Sequence, residues 1–184
     1  IDKYTLRYSH IDDQRSKIYA SMVSSLDDSV GTILQTLKDL GLSDNTLVVF
    51  APDNGCAGYI EGACSNYPFR GHKRFHHEGG IRIPLIMSWP SALPKSTTYK
   101  DPVITLDFYA TFQAAAGSTV SSTTDSINLL PYITGNQNSS PHEYLYWRSG
   151  PTVAIRDERW KLIRYNNSPL TANDLRKDGR LEPP

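Results

Sequence analysis

Asp53 and Asn54 follow directly on a six-residue apolar run, Thr46 to Ala51, and the Pro52 that ends it. They set a carboxylate beside a carboxamide oxygen. Both are hard oxygen donors of the kind Ca²⁺ and Mg²⁺ take, where an Asp–His pair would lean toward zinc. The same Asn54-Gly55 dipeptide also reads as a plain turn after a strand. Further along, Arg70, His72, Lys73, Arg74, His76 and His77 crowd one short segment. Arg and Lys donate charge-assisted hydrogen bonds to sulfate or phosphate oxygens. A Lys ammonium can also neutralise charge growing on a leaving-group oxygen. The histidines titrate near neutral pH and suit general acid work, or else are ordinary loop residues. A solvated basic loop is the plain alternative for most of this segment. Taken together, the two groups are what a metal-assisted site for an anionic ester requires.

The elements that must position these groups are legible from periodicity. Residues 11 to 40 carry Ile18, Met22, Val23, Leu26, Val30, Ile33, Leu34 and Leu37 at three- and four-residue steps, which predicts a long amphipathic helix. Gly41 stands where a helix C-terminal glycine belongs. Thr46 to Ala51 is a continuous apolar run and reads as a strand buried on both faces, hence part of a parallel sheet. Ligands in open α/β sheets sit beyond the carboxyl ends of strands, which is where Asp53 and Asn54 fall.

Gly55 to Gly80 reads as one long functional loop, with Glu78-Gly79-Gly80 as a tight turn and Glu78 as an ion-pair partner. Ile83 to Ser88 is a second strand, and Thr105 to Ala116 a helix with Leu106, Tyr109, Phe112 and Ala116 on one side. Tyr144 to Arg148, Thr152 to Arg156 and Trp160 to Tyr165 predict an antiparallel meander whose aromatics form its core. Trp147 and Arg148 are placed to line a cleft. The fold class is therefore α/β: a mostly parallel sheet sandwiched by helices in residues 1–135, then a small antiparallel β subdomain in 136–184.

Composition narrows the function. The 184 residues carry 19 basic and 19 acidic side chains, so no global field attracts nucleic acid or an anionic membrane. No apolar stretch approaches the length of a membrane span. Cys56 and Cys64 enclose seven residues. They read equally well as a disulfide, which would imply an oxidising compartment, or as two free thiols. Their spacing does not match common zinc patterns. Asn138-Ser139-Ser140 is a legal glycosylation sequon, meaningful only in a secreted eukaryotic protein.

The order of the segments carries a further reading. YASMVSSLDDSVG, LGLSDNTLVVFAPDNG, NYPFRGHKRFHHEGGIRIPLIMSWP, DPVITLDFYATFQAAAG, DSINLLPYITG, PHEYLYWR and VAIRDERWKLIRY occur in succession. From about Tyr19 to Tyr165 the chain resembles the C-terminal part of a formylglycine-dependent arylsulfatase, within the alkaline-phosphatase-like superfamily. The resemblance implies a sulfuric ester hydrolase in which Asp53 and Asn54 complete an oxygen-only Ca²⁺ site, with Mg²⁺ the alternative. Lys73 matches the lysine of R-G-x-K-x-x-x-x-E-G-G, which contacts the sulfate and the bridging oxygen. His72, Arg74 and His76 fall at positions that vary between subgroups and imply weaker substrate contacts. Pro52 and Ser126 depart from the family's commoner residues.

The formylglycine comes from a C/S-x-P-x-R motif, which neither Cys56 nor Cys64 occupies. The resemblance thus implies a fragment that is inactive alone and has the remainder of a sulfatase chain as its partner. The resemblance further implies a sulfated sugar or an aryl sulfate as substrate, and a periplasmic, extracellular or lysosomal compartment. Two competing readings are a phosphoesterase or phosphonate hydrolase of the same superfamily, and a non-catalytic module binding sulfated glycans.

Overall fold

The computed structural model describes residues 2–58, 60, 64–119 and 123–165. They form two compact units, 2–43 with Phe50–Ile86, and Asp44–Val49 with 87–165. The elements are helices and strands in mixed order, ending in a small antiparallel sheet, so the α/β class holds.

In the first unit, α1 (Asp2–Thr5) leads into the long helix α2 (Gln14–Asp39). Asp13 caps α2: its carboxylate accepts from the Ser16 N–H at 2.6 Å. This supplies one of the partners a helix start lacks. The other end closes as expected at Gly41, whose φ is +68°. Gly41 N–H donates to Lys38 O at 3.0 Å and Leu42 N–H to Leu37 O at 2.8 Å. These two bonds make a complete Schellman ending, which needs a residue tolerant of positive φ. Tyr4 Oη donates to Asp28 Oδ2 at 2.6 Å, and Tyr8 and Ser24 share a hydroxyl bond at 2.5 Å, so α1 and its following turn lie along α2.

The side of α2 that packs is not the side the periodicity marks. Ser21 and Ser24 are its buried residues, while Met22, Val23, Leu26, Ile33 and Leu34 are exposed, Ile33 by 59%. Strand β1 (Val48–Phe50) pairs with β2 (Ile86–Ser88) in a two-stranded sheet. The expectation of a strand covered on both faces also changes here. Phe50 and Ile86 are exposed, because among the described residues the ribbon has no third strand.

In the second unit, α4 (Asp107–Ala115) packs through Asp107, Ala110 and Thr111 and leaves Leu106, Tyr109 and Phe112 outside. The helix α3 (Glu78–Ile81) belongs to the first unit, and the short helix α5 (Leu130–Ile133) follows α4 in the second. A loop is fastened to α4 by polar bonds: Ser126 Oγ accepts from Ala110 N–H and Thr111 Oγ1 from Leu129 N–H.

The meander is β3 (Leu145–Ser149), β4 (Thr152–Arg156) and β5 (Lys161–Arg164), antiparallel throughout, with Trp147 opposite Ala154 and Ala154 opposite Ile163. Its buried residues are Leu145 and Ala154, not the aromatics, since Tyr144, Tyr146 and Trp160 stay exposed. A single three-stranded sheet has too little cover to enclose rings of that size.

Candidate active site

The D-N-G turn and the R-G-H-K loop lie in the same unit and are joined through their backbones. Lys73 N–H donates to Cys56 O at 2.9 Å, Gly55 N–H to Gly80 O at 2.9 Å and Gly79 N–H to Arg70 O at 2.7 Å. Three segments therefore meet, at 55–56, 70–73 and 79–80. Such contact is close enough to exclude side chains. A methyl group on Gly55 would run into Gly79 O, one on Gly79 into Gly71 O and Arg70 O, and one on Gly80 into Phe75 O. The Gly79-Gly80 pair is thus required by close approach, with Glu78 starting α3 and ion-paired to Arg82 at 3.7 Å.

The predicted site residues fall into distinct environments. Asp53 is exposed and Asn54 half-buried. Asn54 Nδ2 donates to Gly55 O at 3.0 Å, which commits its nitrogen to the backbone. Lys73 is half-buried and Arg74 exposed. Arg74 holds φ at +86°, a left-handed conformation uncommon for a side chain of its size. Backbone held in such a region next to Lys73 is characteristic of sites whose surroundings fix the geometry.

His72 and His76 are both buried at 7% exposure. His72 Nδ1 lies 2.8 Å from Lys73 O and its ring meets Phe75 edge-on at 4.7 Å. It also lies against Gly58, where any added Cβ would crowd it. His72 therefore has a packing role beside Lys73.

Cys56 and Cys64 form a disulfide, Cα to Cα 6.0 Å, resolving the two readings their spacing left open. Periodicity and motif reading passed over Asn66. Its Oδ1 accepts from Cys56 N–H at 2.8 Å and its Nδ2 donates to Gly71 O at 3.1 Å. Nothing in local sequence marks a side chain that acts across ten residues.

A divalent cation fits the donor chemistry of the turn only in part. Asp53 and Asn54 offer two hard oxygens, where Ca²⁺ takes six to eight. Among the described residues no group of three or more His, Cys, Asp or Glu could hold a metal ion. In the second unit, a cleft of about 570 Å³ is lined by Tyr144, Arg156, Arg159 and Trp160 among others, and not by Trp147 or Arg148.

Backbone hydrogen bonds join the D-N-G turn to the cationic loop in an α/β framework, and known proteins share both the sequence and the fold. The sulfatase family model matches residues 2–118, and the model for the C-terminal part of N-sulphoglucosamine sulphohydrolase matches 70–180. The chain belongs to the sulfatase family. Human steryl-sulfatase is 33% identical over 138 residues, 70% of this chain and 24% of that protein. The dog N-acetylgalactosamine-6-sulfatase is 33% identical over 78% of this chain and 28% of its own length. The chain thus spans about a quarter of the curated relatives it matches.

Among solved structures, Ps i-CgsB in complex with a neocarrahexaose superposes with TM-score 0.78 at 33% identity, covering 92% of this chain and 38% of that one. A structure bound to its substrate D-glucosamine-2-N,6-O-disulfate gives TM-score 0.65 at 27% identity, covering 82% and 31%.

Proposed function

We propose that this chain is the C-terminal portion of a sulfuric ester hydrolase acting on a sulfated sugar or an aryl sulfate. The observation that carries the reading is the hydrogen bond from Lys73 N–H to Cys56 O at 2.9 Å. It ties the lysine's loop to a residue three positions beyond Asp53, so both halves of the expected site belong to one local structure.

In this reading Asp53 and Asn54 hold a Ca²⁺ ion, with Mg²⁺ the alternative, through a carboxylate and a carbonyl oxygen. The ion, when bound, neutralises charge on the sulfate oxygens. The Lys73 ammonium binds the ester and stabilises the leaving-group oxygen as its bond to sulfur breaks. On the same loop, exposed Arg74 and buried His72 and His76 add weaker contacts to the sulfate or the sugar.

The formylglycine implied by family resemblance, together with the remaining metal ligands, would come from a part of the protein outside these residues. Neither cysteine here is a candidate for it, since each stands outside the required motif and is taken up in the disulfide. The same disulfide supports an exported location, periplasmic, extracellular or lysosomal, because such bridges persist in oxidising compartments. No helix among the described residues is long and apolar enough to cross a membrane.

The test is turnover of a chromogenic aryl sulfate and of the matching aryl phosphate by the full-length protein, with and without Ca²⁺. We expect sulfate hydrolysis that chelation abolishes, and a kcat about 10²- to 10³-fold lower in Lys73→Ala, the range seen when one such stabilising group is removed. An unchanged kcat in that variant would remove Lys73 from the chemistry. Preference for the phosphate ester would reassign the reaction class.

A further inference from the structure

We infer that Asn66 is a positioning residue that sets the metal-ligand turn and the lysine loop in register. The inference rests on the sulfatase reading for its catalytic consequence, and on hydrogen bonds alone for its structural part. The peptide at Cys56 is held from both sides. Its N–H donates to Asn66 Oδ1 at 2.8 Å, and its C=O accepts from Lys73 N–H at 2.9 Å. Asn66 then reaches the other loop directly, Nδ2 donating to Gly71 O at 3.1 Å. One carboxamide therefore bonds a residue two positions from Asn54 and another two positions from Lys73.

Asn and Gln offer an acceptor and a donor side by side on one planar group at any protonation state, and Asn has the shorter reach this gap demands. Asp would keep the acceptor for Cys56 N–H but would set a carboxylate against Gly71 O. Gly71 can take the strained turn involved because it lacks a Cβ; its φ is +82°. The Cys56–Cys64 bridge anchors the same peptide covalently, and the Asn66 side chain adds to the Lys73 N–H bond a second span from it, to Gly71 on the lysine loop.

The experiment uses the full-length protein with Asn66→Ala and Asn66→Asp, and reads amide exchange, Ca²⁺ binding by calorimetry, and aryl sulfate kinetics. In Asn66→Ala we expect the Cys56 and Lys73 amides to exchange at least about tenfold faster than in the parent. We also expect Ca²⁺ affinity and kcat to fall about 10- to 100-fold, the usual consequence of removing a group that orients ligands, with KM changed far less. Asn66→Asp should restore slow exchange at Cys56 but not at Lys73.

A folded Asn66→Ala protein with parental amide exchange, or with faster exchange but parental Ca²⁺ affinity and kcat, overturns the inference. If the parent neither hydrolyses sulfate esters nor binds Ca²⁺, the proposed function fails instead. The exchange arm then decides the clamp by itself.

Discussion

Single side chains carry much of the second unit's order, and Asp107 does so most clearly. It is wholly buried, accepts from Ile104 N–H at 3.1 Å and Ile127 N–H at 3.0 Å, and lies 2.8 Å from His142 Nε2. Three groups from three parts of the chain converge on one carboxylate. Removing it leaves three half-buried groups without that acceptor, so Asp107→Ala should cost about 1–3 kcal/mol, measured by urea unfolding. Asp107→Asn keeps the accepting oxygen and should cost distinctly less; equal losses would mean the cavity matters and the bonds do not. Tyr99 gives a pH signature of its own. Burial, and secondly its hydrogen bond to Asp101 at 3.1 Å, push its hydroxyl from 10.0 up to about 12. A group that holds its proton more tightly when folded adds stability that is complete below the unfolded value and lost as pH rises through the folded one. The denaturation midpoint should therefore drop between pH 10 and 12, and Tyr99→Phe should flatten that drop. A parent and variant that fall in parallel would show that the loss comes from elsewhere.

At the scale of elements, what was legible in sequence was the kind and extent of each segment. Gly41 closed α2 where expected, and the three strands of the meander came within a residue or two of their observed bounds. The side of each helix that packs was not legible. Periodicity reports where apolar residues lie on a helix, and it assumes that some neighbour covers them. For α2 and α4 the covering neighbour is absent among the described residues, and small or polar residues make the packed side instead. The motifs singled out Asp53, Asn54 and Lys73 as candidates, but not Asn66, whose action depends on which backbone groups the fold brings to it. The loop that joins these residues is braced twice. Closing an eight-residue separation with the Cys56–Cys64 bridge restricts the unfolded chain by about 2–3 kcal/mol on the chain-entropy account. Reduction under native conditions should lower the melting temperature and loosen Ca²⁺ binding together; a lowered melting point alone would confine the bridge to general stability. Gly79→Ala pushes a methyl group at three backbone oxygens, of Gly71, Arg70 and Phe69. It should reduce kcat even in protein that remains folded.

For the whole molecule, the exposed stripe and the share of the relatives' length that the chain covers belong to one argument. Met22, Val23, Leu26, Ile33 and Leu34 present an apolar band on α2, and the chain corresponds to 24% of human steryl-sulfatase. Contiguous apolar surface of this kind marks an interface. We propose that the remainder of the sulfatase chain covers it, the same part that would bring the nucleophile. Two consequences follow that differ in size. In the isolated 184-residue chain, Leu26→Ser removes apolar surface from water. It should reduce self-association in sedimentation while costing little stability, since surface substitutions lie within about 0.5 kcal/mol. In the full-length protein the same change puts a hydroxyl into a covered apolar site and should destabilise by about 2–4 kcal/mol. The isolated chain should also release no product from an aryl sulfate with Ca²⁺ present, because two oxygen ligands and a lysine supply no nucleophile. If Leu26→Ser behaves alike in both contexts, the band is open surface in the whole enzyme and some other part of this chain meets the rest.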